Sequence, residues 1–432
     1  MDASQPSPRP LLERLLTWSS ANHAEASYTA STEAATRFAN NAITQNVARR
    51  SATVTVRVAF GRQVGRASVT DLSEESLRAC VARAEELARA SGPDSEFLPL
   101  PGPQSYPQVA GFDPEAAAAD PAARAERIRT ALGAARAAGV TAAGSCTTSS
   151  TLTAVANSAG LYHEQPLTDT QLVLTAMTAD GSGWAQQSGY RLAELDPAAC
   201  AARAIRKAQL SSTPRDLPPG EYPVVLEPAA AMDFFGFLAY TMDAKAAHEG
   251  RSAFSGREGT RIGAEGVTVR SQPDHPLAPI CAAGEDGLPV PAVTWIRDGV
   301  LETLSYSRYW AEKSGRPFTG RPANLILDGG TASLEELIAS VERGILVTRF
   351  WYIRFVDPMQ LLLTGMTRDG LFWIEEGQVR HGLKNLRFND SPLRALERVE
   401  ARSPVARGGR YSPTCMPAMR LGSFQFSSST AF

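Results

Sequence analysis

The first half of the chain alternates between apolar and polar positions in a pattern typical of antiparallel strands. The segment SATVTVRVAF, residues 51–60, has an apolar side chain at every second position, and Gly61 and Gly65 follow it. The apolar members are Val54, Val56, Val58 and Phe60. Because successive side chains of a strand point to opposite faces, this spacing predicts a strand with one buried face. The glycines predict a turn back into a second strand, GRASVTD.

The period then changes from that of a strand to that of a helix. Between residues 73 and 90 the apolar side chains share one helical face, the first turn is acidic, and Gly92 and Pro93 end the segment. The order strand, glycine turn, strand and acid-led helix returns in LVLTAMTADGSGWAQQSGYRLAELDPAACAARAIRKA. A proline-rich connector, residues 93–121, and an alanine- and arginine-rich helix ending at Gly139 separate the two cycles. We therefore expect an N-terminal antiparallel sheet with helices packed on one side.

A cluster of prolines marks the best candidate for a domain boundary. In SSTPRDLPPGEYPVVLEP, Pro218, Pro219 and Pro223 prevent a helix from continuing and favour an extended linker. A chain of 432 residues is also long for one hydrophobic core. The sequence predicts an α+β protein of two domains, residues 1–216 and residues 217–432, of which the second is rich in strands.

The second half begins with an apolar segment and continues mainly in strands. Residues 229–247 predict one apolar helix, whose phenylalanines we expect to belong to a surface that another subunit covers. After about residue 290 strand patterns dominate, with hairpin turns predicted at Asp298-Gly299 and Glu376-Gly377. One helix interrupts them in SLEELIASVERG. Ser333 and Glu336 form its capping box, and Gly344 is expected to end it.

Composition and charge exclude several classes of function. The chain has 43 basic and 45 acidic residues, which gives no footprint for nucleic acid or an anionic membrane. No apolar run approaches the ~20 residues of a membrane span, and the first residues lack the features of a signal peptide. We therefore expect a cytoplasmic protein. Five widely spaced cysteines without a C-x-x-C pair predict neither a disulfide framework nor a cysteine-built zinc site.

The segment AAHEGRSAF, residues 246–254, contains the first half of a zinc-peptidase signature. In that signature a helical His-Glu pair is followed one turn later by a second histidine, so that two imidazoles bind zinc and the glutamate acts as general base. Here Ser252 and Ala253 stand where the second histidine belongs. His248 and Glu249 are therefore candidate catalytic residues, to be weighed against an ordinary structural or solvent-facing pair.

Several longer blocks, in one order across both halves, resemble the TldD/PmbA family, also called the modulator-of-gyrase family of metallopeptidase-related proteins. The blocks are GRASVTDLSEESL, EGTRIGAEGVTVRSQPDHP, DGLPVPAVTWIRDGVL, ERGILVTRFWYIRFVDP and TRDGLFWIEEGQV. The resemblance covers nearly the whole chain. It implies that members resembling TldD bind zinc through an HExxxH helix and a C-terminal cysteine. It also implies that they work beside a metal-free sister, TldE (PmbA), which helps to enclose a chamber for extended peptides.

Residue by residue, this chain is more similar to the metal-free type. His248 and Glu249 match the start of the helix motif, but Ala253 occupies the place of its second histidine. Cys415 comes immediately before the last predicted strand, whereas the zinc-binding cysteine lies earlier in a Gly-Cys-Gly-Lys context. The segment RSAFSGREGTRIGAEGVTV also resembles the TldE type. The resemblance thus implies no metal in this chain and zinc in a TldD-like HExxxH partner subunit.

The segment TRFWYIRFVDP supplies candidate substrate-binding residues. Arg349, Trp351, Tyr352 and Arg354 would form an aromatic, cationic strand able to pair with an extended peptide. The alternative is a fully buried strand whose two arginines extend to solvent along its apolar neighbours.

Three functions stay open at this point. The first is a TldE-like subunit of a heteromeric zinc peptidase or amidase, acting on peptides or a peptide-derived metabolite. The second is an independent hydrolase that uses Glu249 as base and His248 as acid, or an unusual ligand set. That set would come from His248, His275, Asp274 and Cys281. The third is a non-enzymatic homodimer that encloses a peptide-binding chamber.

Overall fold

The computed structural model describes residues 7–408 and 413–429, so the first six residues, the last three and part of ARSPVARGGRYSPTC lie outside the described residues. The first half forms one sheet of six strands. These are β1 (His23–Ala39), β2 (Ala42–Phe60), β3 (Gln63–Val69), β4 (Thr141–Asn157), β5 (Tyr162–Met177) and β6 (Ser182–Gly189). Their order is β3-β2-β1-β4-β5-β6, and every pair is antiparallel. The predicted antiparallel sheet is confirmed.

Among the described residues, five α-helices accompany this sheet. They are α1 (Arg9–Trp18), α2 (Glu74–Ala90), α3 (Pro114–Ala118), α4 (Pro121–Ala137) and α5 (Pro197–Leu210). The side chains of Ser73, Asp120 and Asp196 cap α2, α4 and α5 by accepting backbone N–H bonds of the first turn. Val54, Val56 and Val58 are buried between sheet and helices, as their alternation predicts.

The repeated order of elements in the sequence corresponds to two equivalent units. Units α1-β1-β2-β3-α2 and α4-β4-β5-β6-α5 meet through the β1–β4 pair at the centre of the sheet. In each unit the last strand has a glycine where the helix packs closest. A Cβ on Gly65 would collide with the backbone of Ala84 in α2, and a Cβ on Gly183 with that of Ala204 in α5. Both glycines are therefore required by close approach of helix and strand.

The second half contributes the strands of a larger sheet. The strands are β7 (Gly220–Leu226), β8 (Val269–Ser271), β9 (Val293–Arg297), β10 (Val300–Leu301), β11 (Leu325–Leu327), β12 (Arg343–Val347), β13 (Phe350–Asp357), β14 (Leu362–Thr367), β15 (Leu371–Glu375), β16 (Gln378–Gly382), β17 (Leu386–Asp390), β18 (Val399–Gly408) and β19 (Thr414–Ser429). The main path runs β10-β9-β8-β11-β19-β7-β12-β15-β16. A branch from β19 leads through β17 and β14 to β13. The protein is thus α+β with a strand-rich C-terminal half.

Helices of the second half are short. They are α6 (Pro228–Phe235), α7 (Leu238–Thr241), α8 (Ala244–His248), α9 (Arg308–Ser314), α10 (Leu334–Ala339) and α11 (Pro392–Glu397). The single helix expected over residues 229–247 is wrong, because it is divided into α6, α7 and α8. Between α7 and α8 the backbone is extended and pairs with Ser305, which accepts from Ala244 and donates to Met242. Asp243 then caps α8 by accepting from Ala246 N–H at 2.7 Å.

Two further expectations for the second half need correction. Phe234 and Phe235 are completely buried in the chain's own core, so they contribute nothing to a surface for a partner. Gly344 does not end the helix of SLEELIASVERG, because α10 stops at Ala339 and Gly344 lies in β12. A Cβ at Gly344 would approach the Pro223 carbonyl oxygen to 2.6 Å, which explains the glycine. The capping box of Ser333 and Glu336 is confirmed.

The hairpin turns are as predicted. Asp298 and Gly299 both have positive φ, 49° and 76°, between β9 and β10, and Glu376 and Gly377 have 51° and 70° between β15 and β16. Positive φ at both residues of a two-residue loop is characteristic of a type I′ turn, whose backbone twist matches that of the flanking strands. None of the described helices is long and apolar enough to cross a membrane. All five cysteines are free thiols.

Ion pairs join the two halves of the chain. Asp286, in the short 3₁₀ turn Glu285–Gly287, accepts from Arg57 of β2 and from Arg308 of α9. On another side of the junction, Lys207 of α5 pairs with Glu227 at 2.6 Å, and both side chains are nearly buried. Tyr106 of the proline-rich connector donates to the Gly287 carbonyl oxygen at 2.5 Å. Charged contacts therefore fix the first sheet against the second half.

Candidate functional site

His248 lies at the C-terminal end of α8 with its ring exposed. Its Nε2 is 3.2 Å from the Tyr306 hydroxyl, and its ring packs edge-on against Tyr306 and Trp310. The Tyr306 hydroxyl in turn donates to Glu258 at 2.8 Å. His248 is therefore the outer end of a hydrogen-bonded chain that leads into the protein.

The side chain of Glu249 is exposed to solvent, and its contacts do not suit a general base. Its carboxylate pairs with the Arg251 guanidinium two residues later, and this hydrogen bond lowers the pKa of Glu249 below its ordinary value. A carboxylate that is stabilised in its charged form is a weaker base. The arrangement therefore does not favour Glu249 as the general base of an independent hydrolase.

The position of the missing histidine is part of the core. Ala253 is 6% exposed and packs in the main apolar cluster of the second half, and Ser252 is 8% exposed. The Ser252 hydroxyl donates to the Thr241 carbonyl oxygen at 3.3 Å. This hydrogen bond joins the turn after α8 to the end of α7.

The remaining metal-ligand candidates are not brought to His248. His275 is nearly buried, and its Nδ1 lies 3.8 Å from the Cys415 sulfur. Burial lowers the pKa of His275 and raises that of the Cys415 thiol to about 12, so the thiolate that zinc needs is disfavoured. Asp274 is exposed and accepts from Gln272.

These contacts show whether the side chains near His248 could bind the zinc that the HExxxH motif would hold. In residues 7–408 and 413–429, no three His, Cys, Asp or Glu side chains come together as a metal-binding group. A zinc site needs three or four such donors. The donor set present at His248 therefore does not fit zinc, and the atypical set of His248, His275, Asp274 and Cys281 is not assembled.

A large cavity lies elsewhere, between the first sheet and the second half. Its volume is about 1040 Å³, at the upper end of the ~300–1,000 Å³ typical of ligand pockets. Strands β5 and β6 and helix α5 form one wall, and α6 and β13 form the other. All four predicted substrate-binding residues line it: Arg349, Trp351, Tyr352 and Arg354. His248 and Glu249 do not, so the structure separates the two sets of candidates.

Strand β13 is an exposed edge strand, and the alternative of a fully buried strand is wrong. Among the described residues β13 pairs with β14 alone. Large apolar side chains on it and just after it are open to solvent, with Tyr352 63% and Val356 51% exposed. The pairing register shifts between Trp351 and Arg354, and Tyr352 between them has a φ of 56°. This is a β-bulge, a feature that recurs at functional edges.

Arg349 immediately precedes this strand, and its guanidinium contacts two indole rings. Its guanidinium carbon lies 4.6 Å from the Trp184 ring centroid and 5.3 Å from that of Trp351. The Asp369 carboxylate is 3.9 Å from Nη1 and is shared with Arg368. Within the described residues the buried Nε of Arg349 has no hydrogen-bond partner. The guanidinium is thus fixed in orientation but only partly compensated.

Other charged residues of the cavity were not found from the sequence. Asp233 of α6 accepts from the Phe350 N–H at 3.0 Å, and burial raises the pKa of its carboxyl to about 6. The Lys207–Glu227 pair and Arg407 also line the cavity. The sequence offers a signal for Asp233, which is a single acidic residue in the apolar run AAAMDFF. A charge buried in such a run requires a partner.

Comparison with known proteins identifies the family. Three family models match in succession: the PmbA/TldA metallopeptidase domain 1 at residues 24–88, the central domain at 112–211 and the C-terminal domain at 219–428. The chain belongs to the PmbA/TldD metallopeptidase family. A curated relative described as a metalloprotease, from Methanothermobacter thermautotrophicus, is 24% identical over 270 residues. That match spans 56% of this chain and 58% of the relative.

Solved structures of the PmbA/TldD type share the fold over almost the entire chain. TldE from Thermococcus kodakarensis superposes with a TM-score of 0.87 at 19% identity, covering 97% of this chain and 99% of that one. A protein from Thermotoga maritima, described as a putative modulator of a DNA gyrase, gives 0.86 at 19% identity, covering 98% and 100%. At such identities the likeness establishes the fold.

Proposed function

We propose that this chain is a metal-free, TldE-like subunit of a heteromeric zinc peptidase or amidase, and that its cavity holds an extended peptide or a peptide-derived substrate. The partner would be a TldD-like subunit whose HExxxH helix carries the zinc. The observation that carries the proposal is the state of the motif: His248 is bound to Tyr306, while Ser252 and Ala253 are buried in the core. A chain that retains the family's fold without its ligand set can contribute walls and substrate contacts.

The open edge of β13 supports the role in substrate binding. Among the described residues it pairs with no strand on the side away from β14, and aromatic and cationic side chains flank it. An extended peptide could add to such an edge through main-chain hydrogen bonds, with side chains held by the cavity wall. Main-chain pairing tolerates many sequences, which suits a chamber for unfolded peptides.

Reconstitution tests this function. The chain is purified alone, an HExxxH paralogue from the same organism is purified alone, and the two are mixed. We expect a stable complex by light scattering and hydrolysis of an extended fluorogenic peptide that exceeds the activity of either subunit. A homodimer of this chain that binds the peptide while ignoring the paralogue would support the non-enzymatic chamber instead. Peptide hydrolysis by this chain alone would refute the proposal.

A further inference from the structure

The free edge of β13 ends at a defined point inside the cavity. At Phe350 the outward N–H is already occupied, because it donates to the Asp233 carboxylate of α6 at 3.0 Å. A peptide strand added to β13 cannot use that N–H, so its pairing has to stop there. The residue immediately before Phe350 is Arg349, whose guanidinium faces the same cavity.

The surroundings of Arg349 are those of a prepared anion site. The ring centroids of Trp184 and Trp351 both lie within 5.3 Å of the guanidinium carbon, and Nε is buried without a partner in the described part of the chain. A buried donor of a charged group that lacks a hydrogen-bond partner is costly. The nearest carboxylate, Asp369, lies 3.9 Å away and also serves Arg368 and Ser182.

The charges of the cavity favour an anionic ligand. Among the described lining residues five are basic and three are acidic. These are Arg203, Lys207, Arg349, Arg354 and Arg407, and Glu194, Glu227 and Asp233. Each acid is engaged: Glu227 with Lys207, Asp233 with Phe350, and Glu194 with the Tyr190 N–H at 3.0 Å. Arg407 is likewise paired, with Asp169 from outside the lining, so the basic excess is small. Its member beside Phe350 is Arg349, whose ion pair with Asp369 is 3.9 Å long.

Resting on the proposed peptide-binding function, we propose that Arg349 receives a carboxylate of the bound peptide, so that the subunit selects peptides with a carboxylate at the end that reaches Phe350. Guanidinium and carboxylate form charge-assisted hydrogen bonds, which the 3.9 Å separation of Nη1 and the Asp369 carboxylate does not supply. The carboxylate comes either from the C-terminus of the peptide or from an acidic side chain at its last position. The Asp233 side chain limits the added strand, and Arg349 binds its terminal charge.

Matched peptides test the proposal on the unmodified full-length chain. Three fluorescein-labelled hexapeptides are compared by fluorescence anisotropy: one with a free C-terminal carboxylate, its C-terminal amide, and an amide with glutamate at the last position. We expect the acid to bind roughly ten- to a hundredfold more tightly than the plain amide. Recovery of affinity by the glutamate amide would assign the carboxylate to a side chain, and its absence would assign it to the C-terminus. Trp184 and Trp351 should report the same binding by a change in tryptophan fluorescence.

Variants locate the effect. Arg349→Gln should abolish the difference between acid and amide, whereas Arg297→Gln, on β9 outside the cavity and paired with Glu302, should preserve it. Equal binding of acid and amide to the unmodified chain overturns the carboxylate site alone, and so does a difference that survives Arg349→Gln. Failure of all three peptides to bind contradicts the proposed peptide chamber as well. The acid–amide comparison needs no variant, so it decides even if Arg349→Gln misfolds.

Discussion

The Asp233 carboxylate accepts the Phe350 N–H at 3.0 Å, and this bond joins α6 to the first residue of the edge strand β13. A side chain thereby occupies a main-chain donor that a neighbouring strand would otherwise use. Edge strands are commonly protected by such local devices. Here the protection covers one position and leaves the rest of the edge open toward the cavity.

The raised pKa of Asp233, about 6, predicts a specific pH dependence. The unfolded carboxyl titrates near ~3.9. Between these values the folded protein holds a proton that the unfolded chain releases, so this group makes stability fall as pH rises from about 4 to about 6. Asp233→Asn keeps the acceptor for Phe350 and removes the charge. We expect its stability relative to the parent chain to be about 2 kcal/mol more favourable at pH 7.5 than at pH 4, in urea unfolding. An equal difference at both pH values would show that Asp233 is not desolvated.

Tyr352 gives a way to separate binding from stability. Its φ of 56° is strained for a residue with a side chain, and its ring is 63% exposed. Tyr352→Gly relieves strain of about 1 kcal/mol, offset by the larger entropy that glycine loses on folding. We expect an unchanged thermal midpoint and a roughly three- to tenfold loss of peptide affinity, because a ring contact is removed. Ile43→Ala, an exposed apolar change on β2 outside the cavity, is the control and should alter neither. Full peptide affinity in Tyr352→Gly would remove β13 from the binding site.

Much of the fold could be predicted because its signals are local. The alternation around Val54, the capping residue Ser73 and the Asp298-Gly299 turn act within a few neighbours, and each appears where the pattern places it. The break between α7 and α8 could not be predicted, because it depends on pairing with the distant residue Ser305.

The candidate site was predictable in part for the same reason. The sequence itself shows that Ala253 stands in the place of the second histidine and that the segment forming β13 is rich in aromatic residues. The sequence did not show whether β13 is buried, because an apolar strand has the same pattern of residues at the edge of a sheet as in a core. The contact of Arg349 with Trp184 joins residues that belong to the two different sheets. It could not be predicted, because it does not depend on the spacing of the two residues along the chain.

We predict that the ion pairs of Asp286 contribute most of the electrostatic stabilisation between the two halves of the chain. It accepts from both Arg57 and Arg308, and its side chain is 11% exposed. Asp286→Asn keeps the size of the side chain and the tolerance for positive φ, but it removes the carboxylate paired with Arg308 and leaves Arg57 with Glu25 at 3.3 Å. We expect a loss of about 2–3 kcal/mol in chemical unfolding. Asp216→Asn, which removes the exposed pair with Lys384, should cost less than about 1 kcal/mol. Equal effects of the two changes would contradict this role.

His248 and Glu249 are expected to be dispensable for chemistry. In the reconstituted complex His248→Ala or Glu249→Gln should lower turnover by less than about tenfold, because neither residue holds metal or acts as base in this account. The same Glu→Gln change in the HExxxH motif of the paralogue should cost ~10² to 10⁴. Circular dichroism establishes that each variant is folded. A thousandfold loss from either change in this chain would restore AAHEGRSAF as an active site.

Zinc content tests the central claim most directly. The chain and the HExxxH paralogue are expressed with added zinc, purified separately without chelators, and analysed for metal by mass spectrometry. The single imidazole of His248, with Ala253 in the place of its partner, should leave this chain with far less than one zinc per polypeptide, while the paralogue and the mixed complex carry about one per HExxxH motif. Close to one zinc per polypeptide in the isolated chain, lost on His248→Ala, would contradict the assignment of this protein as the metal-free subunit.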